Sequence, residues 1–132
     1  MDNTSASPPG FRLTTKARGD AAEAVALAHL QAHGLRLVQR NYRTPGRGGG
    51  EIDLIVRERD GTLVFGEVRQ RSRSDFGGAL ASITPTKRRR IVRAAQHFLL
   101  QRGPTPPCRF DVVVLQGQAS PLWLKAAFDA SP

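Results

Sequence analysis

The stretch EIDLIVRERDGTLVFGEVR, residues 51–69, decides the fold class of this chain. It contains two β-rich runs, 51–57 and 62–69, which are joined across the turn residues Arg59-Asp60-Gly61. Two such runs around a short glycine-containing turn are typical of a β-hairpin. We therefore predict an antiparallel pair of strands in the middle of the chain.

The length of this turn determines which residues of the hairpin face each other. A two-residue turn would pair Asp53 with Val68 and place Asp53 and Glu67 on opposite faces. A three-residue turn pairs Asp53 directly with Glu67. Gly61 stands where a three-residue hairpin needs a left-handed residue, so we predict the three-residue turn. The two carboxylates then lie side by side, close enough to share one divalent cation.

Helical and strand patterns flank the hairpin on both sides. Residues 15–33 have helical periodicity that stops at Gly34, and residues 35–43 have the pattern of a strand. After a polar loop, Thr84-Pro85 predicts the start of a second long helix, which ends at Gly103-Pro104. Strands and helices therefore alternate along the chain.

The C-terminal part adds one clear strand and one ambiguous segment. Residues 109–116 predict a largely apolar central strand, in which Asp111 is expected to form a buried ion pair or hydrogen bond. Residues 122–129 fit a short strand or a helical turn. Residues 1–13 are predicted to be a flexible lead-in and residues 14–132 a single domain. The fold class that satisfies this order is α/β, with a mixed β-sheet flanked by α-helices.

The charge of the chain indicates a polyanionic partner. Twenty Lys and Arg against eleven Asp and Glu give a net charge of +9, and the sequence pI is about 11.4. Eight of the cations and only one acid fall within residues 69–93. Most of these cations are arginines, which bind phosphate oxygens through two parallel hydrogen bonds. The residues predicted to contact nucleic acid are Arg71, Arg73, Lys87, Arg88, Arg89, Arg90 and Arg93.

Other classes of protein are disfavoured by the sequence. No apolar run approaches the ~18 residues that a membrane span requires, and no amphipathic basic helix with large apolar residues predicts binding to a membrane surface. The single cysteine, Cys108, excludes an internal disulfide and fits a reducing compartment. No export signal is recognisable at the N-terminus, so we expect a cytoplasmic protein.

The paired carboxylates predict chemistry at phosphate. Hydrolysis of a phosphodiester builds negative charge on the phosphoryl oxygens and needs an activated water, and a hard cation serves both needs. Asp53, Glu67 and the main-chain carbonyl of Val68 would suit Mg²⁺, or Mn²⁺ in its place. Arg69, two residues after Glu67 on the same face, would then point at the same phosphate.

Three segments carry a resemblance to a known family. GEIDLI (50–55), FGEVRQR (65–71) and RFDVV (109–113) closely resemble the uncharacterised bacterial YraN family. That family is similar to the restriction-endonuclease and Holliday-junction-resolvase folds. The resemblance runs from about Leu13 to Phe128. It implies a restriction-endonuclease-like fold and metal-dependent hydrolysis of DNA, in preference to RNA, with branched or structured DNA as one candidate substrate.

The resemblance also implies roles for individual residues. The wider nuclease superfamily has an aspartate, then Glu-x-Lys on the next strand, and often a glutamate on an upstream helix. On this pattern Asp53 and Glu67 match the metal-binding acids, and Glu23 matches the helix glutamate. Arg69 occupies the lysine position and cannot act as a general base, because its pKa exceeds ~12. It can hold the scissile phosphate, and the role of base would pass to a metal-activated water or to Glu23.

Two functions remain open at this point. The first is a metal-dependent endonuclease, and the second is a non-catalytic nucleic-acid-binding or scaffold protein on a nuclease fold, which Arg69 favours. The nuclease requires Asp53 and Glu67 to be clustered and accessible beside a basic face. Acids engaged in salt bridges would favour the binding protein. A homodimer is also expected by analogy, because resolvase-like relatives cut two strands symmetrically.

Overall fold

Strands and helices alternate in the computed structural model, which describes residues 14–47, 49–71 and 76–130. The predicted lead-in, residues 1–13, and Arg73 lie outside the described residues. The elements are α1 (Thr15–Ala32), β1 (Arg36–Arg43), β2 (Glu51–Arg57), β3 (Leu63–Arg71), α2 (Phe76–Ala81), α3 (Pro85–Leu100), β4 (Cys108–Gln116) and β5 (Leu122–Phe128).

The strands form one mixed sheet in the order β1-β2-β3-β4-β5. All neighbours are antiparallel except β3 and β4, which run parallel. A parallel connection needs a long crossover, and the chain makes it through α2 and α3. The predicted α/β class, a mixed sheet flanked by helices, is confirmed, and the architecture is consistent with a restriction-endonuclease-like fold.

The helices cover opposite faces of the sheet, so the central strands are buried on both sides. One apolar cluster joins α1 to the sheet and includes Ala26, Leu27, Leu30, Leu54, Val64 and Val113. The other joins α2 and α3 to the opposite face and includes Ala79, Ile91, Phe98, Ile55, Phe65 and Val112. Strands buried on both faces are largely apolar, and the runs in β3 and β4 follow that rule.

The hairpin of β2 and β3 has the predicted three-residue turn. The amide of Glu58 donates to the carbonyl of Thr62 (2.9 Å), and Gly61 adopts the left-handed conformation with φ of 94°. The register continues with the pairs Arg57–Leu63 through Leu54–Gly66. The prediction of the turn and its register is confirmed.

The regular ladder is interrupted at Asp53. On β1, the residue opposite Asp53 is Asn41, which has a positive φ of 53° and lies between two regular pairs. On the other side, a side-chain oxygen of Asp53 accepts a hydrogen bond from the amide of Val68 (2.8 Å). Ile52 and Ile55 contact the same apolar cluster although they are three positions apart and should face opposite sides, so the alternation of faces is broken between them.

One segment differs from the expectation from sequence, and one ambiguous segment is now assigned. The predicted polar loop before Thr84 contains the short helix α2. The ambiguous segment 122–129 is the edge strand β5. Asp111 is buried and forms an ion pair with Arg109, as expected, and it also accepts hydrogen bonds from β5. No helix in the described part of the chain is long and apolar enough to cross a bilayer.

Candidate metal and phosphate site

A cleft of about 460 Å³ opens at the end of the β2–β3 hairpin opposite the turn. Its sheet side carries Asp53 and Glu67, and its helix side carries Thr84, Lys87 and Arg90 from the N-terminal part of α3. The glycine-containing loop that precedes β2 closes the third side. The cleft therefore brings the carboxylates of Asp53 and Glu67 together with the cations Lys87 and Arg90 of a helix. Glu51 and Arg43 also line it.

Local sequence features fix both walls of the cleft. The side chain of Thr84 accepts a hydrogen bond from the amide of Lys87 (3.1 Å), which caps α3 and sets Lys87 in its first turn. Opposite, the hydroxyl of Thr44 accepts from the amide of Gly50 (2.8 Å). A Cβ atom at Gly50 would overlap the main chain at Arg90, so only glycine lets this loop pack against α3.

Glu67 is almost completely buried and is held by two cations. Its Oε2 atom lies 3.0 Å from Nη2 of Arg69 and 3.1 Å from Nζ of Lys87. Burial and the nearby charge of Asp53 nevertheless raise the pKa of Glu67 to about 7, against the lowering effect of the two cations. Burial and the charge of Asp53 together therefore outweigh the two cations, and the protonated form of Glu67 is more favoured than in a free carboxyl group.

Asp53 is partly buried and lines the cleft beside Glu67. One of its oxygens is occupied by the amide of Val68, which fixes the carboxylate against β3. The predicted coordination by the carbonyl of Val68 stays a prediction. Asp53 and Glu67 are brought together, as the hairpin register implied. The regular strand pairs end at Leu54–Gly66, and Asp53 is held against β3 by the hydrogen bond from the amide of Val68 to its side chain.

Glu23 lies close to this pair but lines a different depression. It projects from α1 into a cavity that it shares with Asn41 and Glu51. Its Oε1 atom is buried without a hydrogen bond among the described residues, and Nη2 of Arg40 is 3.6 Å away. Burial, followed by the charge of Asp53, raises the pKa of Glu23. Glu23 is thus electrostatically coupled to Asp53, and its catalytic role stays a prediction.

The donor set fits a hard divalent cation. Mg²⁺ is usually held by one or two carboxylates and retains several waters, and Mn²⁺ accepts similar oxygen ligands. Asp53 and Glu67 offer two carboxylates in one cleft, which is the number that such an ion usually takes from a protein. Within the described residues, no group of three His, Cys, Asp or Glu side chains converges on a possible metal position. Asp53 and Glu67 are therefore the residues that would hold Mg²⁺ or Mn²⁺.

Helix α3 separates the predicted basic residues into two surfaces. Lys87 and Arg90 line the cleft, whereas Arg88, Arg89 and Arg93 line a groove on the other side of the helix. Part of this second set is engaged within the fold, since Nε of Arg88 donates to a main-chain carbonyl of the α2–α3 connection (3.0 Å). The basic run is therefore not one continuous face.

The remaining predicted residues lie behind or beside the cleft. Arg71 donates to the carbonyls of Gln70 and Gly78, which ties the end of β3 to α2. Arg69 is not part of the cleft lining, and its Nη2 atom lies 3.0 Å from Glu67 without the geometry of a hydrogen bond. Its Nε and Nη2 atoms are buried and have no hydrogen-bond partner among the described residues. The roles of Arg69 and Arg71 in binding phosphate stay predictions.

Sequence reasoning missed two residues beside the site. Arg43 lines the cleft, and its Nη2 atom lies 3.4 Å from Oε1 of Glu51. Arg43 and Glu51 flank the loop that precedes β2 and pair across it. Recognising a second hairpin there would have placed Arg43 beside the site. Asn41 was missed for a different reason. Asparagine tolerates a positive φ, but no pattern around it signals the irregularity opposite Asp53.

Comparisons with known proteins identify the family of the chain. The family described as "Uncharacterised protein family UPF0102" matches residues 22–115, a region that includes the whole cleft. A UPF0102 protein of Paracidovorax citrulli (strain AAC00-1) is 62% identical over 132 residues, which cover 98% of this chain and 97% of the relative. A UPF0102 protein of Verminephrobacter eiseniae (strain EF01-2) is 66% identical over 117 residues, covering 89% and 81%. The resemblance to the YraN family is thereby confirmed. The chain belongs to the uncharacterised protein family UPF0102.

Proposed function

We propose that this protein is a metal-dependent endonuclease that hydrolyses phosphodiester bonds in DNA, including branched or structured DNA. One observation carries the proposal. Two carboxylates on adjacent strands, Asp53 and Glu67, face two cations of α3, Lys87 and Arg90, across one cleft. Carboxylates attract a divalent cation, and the cationic wall attracts the phosphate on which that cation would act.

The reaction is hydrolysis and needs no further reactant. A water oxygen bonds to phosphorus, the bond from phosphorus to one sugar oxygen breaks, and a proton passes to that leaving oxygen. One product ends in a phosphate and the other in a hydroxyl. Mg²⁺ or Mn²⁺, held by Asp53, Glu67 and the carbonyl of Val68, would supply Lewis-acid stabilisation of the developing negative charge. Glu23 is the candidate to accept a proton, because its Oε1 atom is buried and its pKa is raised.

The net charge of +9 supports a nucleic-acid substrate in general. DNA rather than RNA is the substrate implied by the resemblance to restriction endonucleases and resolvases. A cytoplasmic location is part of the proposal, and the single cysteine, Cys108, supports it because it fits a reducing compartment. We extend the proposal to a homodimer, since symmetric cutting of two strands requires two copies of one site.

A second function is favoured by one specific observation. Glu67 is buried and bridged by both Arg69 and Lys87, so its carboxylate is engaged in ion pairs rather than open to solvent. A protein that binds nucleic acid without cutting it would tolerate this arrangement. The nuclease is favoured by the position of Asp53, which is only partly buried and lies in the same cleft as Glu67.

The deciding experiment compares the wild type with Asp53→Asn and Glu67→Gln. Each is incubated with labelled duplex, single-stranded, flap and four-way-junction DNA, and with duplex RNA, in Mg²⁺, Mn²⁺ or EDTA. Glu51→Gln is the matched control, because it removes a carboxylate of the same cleft that lies outside the proposed metal ligands. We expect metal-dependent cutting of DNA that Asp53→Asn and Glu67→Gln abolish while DNA binding persists. Tight, salt-sensitive binding without cutting in any metal would establish the binding protein instead.

A further inference from the structure

The two cations bound to Glu67 occupy different environments. Both Arg69 and Lys87 reach the Oε2 atom, at 3.0 Å and 3.1 Å. The side chain of Lys87 is 44% exposed and lines the cleft, whereas that of Arg69 is 20% exposed and does not. A phosphate entering the cleft would therefore meet Lys87 first, with Arg69 behind Glu67.

Lys87 and Arg69 also differ in how freely each can contact a second anion. The ammonium of Lys87 has three N–H donors, so it can keep one on Glu67 and direct another into the cleft. Arg69 is the more buried partner of a carboxylate that is itself 5% exposed. Withdrawing Arg69 towards a phosphate would leave a buried charge without its partner, which is costly.

The backbone holds Lys87 in place before any substrate binds. Thr84 caps α3 through the amide of Lys87, and Pro85 begins the helix, so the first turn of α3 lies at the cleft and contains Lys87. The N-terminal end of a 16-residue helix adds a partial positive charge on the same side. A preorganised cation stabilises developing negative charge without the cost of reorganisation.

We propose that Lys87 is a catalytic residue that contacts the scissile phosphate. Lys87 then has the phosphate-binding role that the sequence assigned to Arg69, which does not line the cleft. The inference rests on the proposed hydrolysis and deepens it, since it identifies the group that holds the reacting phosphate. Lys87 acts as a fixed cation that binds a phosphate oxygen through Nζ while Glu67 retains its place on the sheet.

The first test observes the contact without requiring any cutting. The full chain has three lysines, Lys16, Lys87 and Lys125. The ¹⁵N-labelled ammonium groups can therefore be followed individually by NMR while four-way-junction DNA is added in Ca²⁺. We expect the Lys87 signal to shift or broaden at the lowest DNA ratios, and the Lys125 signal on β5 to stay in place. A Lys87 signal that does not respond while the protein binds DNA overturns the proposal.

The second test measures the reaction with a charge-matched control. Lys87→Met and Lys125→Met each remove one positive charge, but Lys125 stacks on Trp123 and lies outside the cleft. In single-turnover cleavage at saturating protein, Lys87→Met should be slowed about 100-fold or more, and Lys125→Met should match the wild type within about threefold. Thermal melting checks that both variants are folded.

The outcomes separate this inference from the proposed function. If the wild type cuts and Lys87→Met cuts within about threefold of it at saturation, the nuclease stands and the role of Lys87 falls. If the wild type cuts no DNA in any metal, the hydrolysis falls. The catalytic role of Lys87 then falls with it, and the ammonium spectrum shows whether Lys87 still binds backbone phosphate.

Discussion

Replacing Glu67 with glutamine is expected to stabilise the metal-free protein by an amount that grows as pH rises from 4.5 to about 7 and stays constant above that. The side chain is buried next to the charge of Asp53, and these two causes raise its pKa from 4.5 to about 7 although Lys87 and Arg69 oppose the rise. In the folded protein the carboxyl group therefore holds its proton more tightly than in the unfolded chain. Glutamine imitates the protonated form at every pH.

The size and the pH window follow from that difference in pKa. The stability supplied by the bound proton is complete below pH 4.5 and is lost as pH rises through about 7. Each pKa unit corresponds to about 1.4 kcal/mol, so the wild type loses about 3 kcal/mol across this window. At pH 8, Glu67→Gln should be more stable by about that amount, which corresponds to roughly 10 °C in melting temperature. At pH 4.5 the two should agree within about 0.5 kcal/mol.

Urea unfolding in EDTA from pH 4.5 to 8 provides the measurement. Glu51→Gln serves as control, because it removes a carboxylate from the same cleft that is paired with Arg43 and more exposed. Its stability relative to the wild type should change little over the same range. A Glu67→Gln variant that is less stable than the wild type at pH 8 would refute the reasoning. It would mean that the ion pairs with Lys87 and Arg69 outweigh burial and the charge of Asp53.

Three substitutions and one addition of metal test how the fold and the metal support the site. Gly50→Ala would overlap the main chain at Arg90, so urea unfolding should show a loss of about 2 kcal/mol or more. Gly19→Ala lies in α1 with open space around it and should gain about 0.5–1 kcal/mol, and a loss there would contradict the observed clearance. Asp111→Ala removes a buried carboxylate that accepts from three residues and should cost about 3–5 kcal/mol, whereas a cost below 1 would show that these bonds matter little. Mg²⁺ should raise the melting temperature of the wild type more than that of Asp53→Asn, and equal rises would place the ion elsewhere.

The hairpin could be predicted from sequence because its determinants are local. Gly61 permits the left-handed residue of the three-residue turn, and the turn length alone then fixes which residues of 51–69 face each other. The proximity of Asp53 and Glu67 follows from that register. The two long helices were similarly predictable, since their periodicity and their ends are encoded within single segments.

Other features of the site depend on contacts that no local pattern encodes. Lys87 reaches Glu67 from twenty residues along the chain, because α3 packs across the end of β3. Helix α2 has two glycines in FGGALA and low intrinsic helix propensity, but full burial of Ala79 against the sheet compensates for it. The left-handed Asn41 lies opposite Asp53 only when β1 and β2 are paired. These relations arise from tertiary packing, which overrides propensity and spacing.

The single parallel pairing at the centre of the sheet has a consequence for the order of folding. Strands β1, β2 and β3 join through short connections, so their contacts can form early between residues that are near in sequence. Strand β4 reaches β3 only after residues 72–107 have been brought across the sheet, and that long loop closure is slow and entropically costly. Glu67 lies on β3, and Lys87 lies within the crossover itself. Closure of this crossover is therefore expected to limit the rate of folding, and Lys87 meets the carboxylates of the hairpin only through that closure.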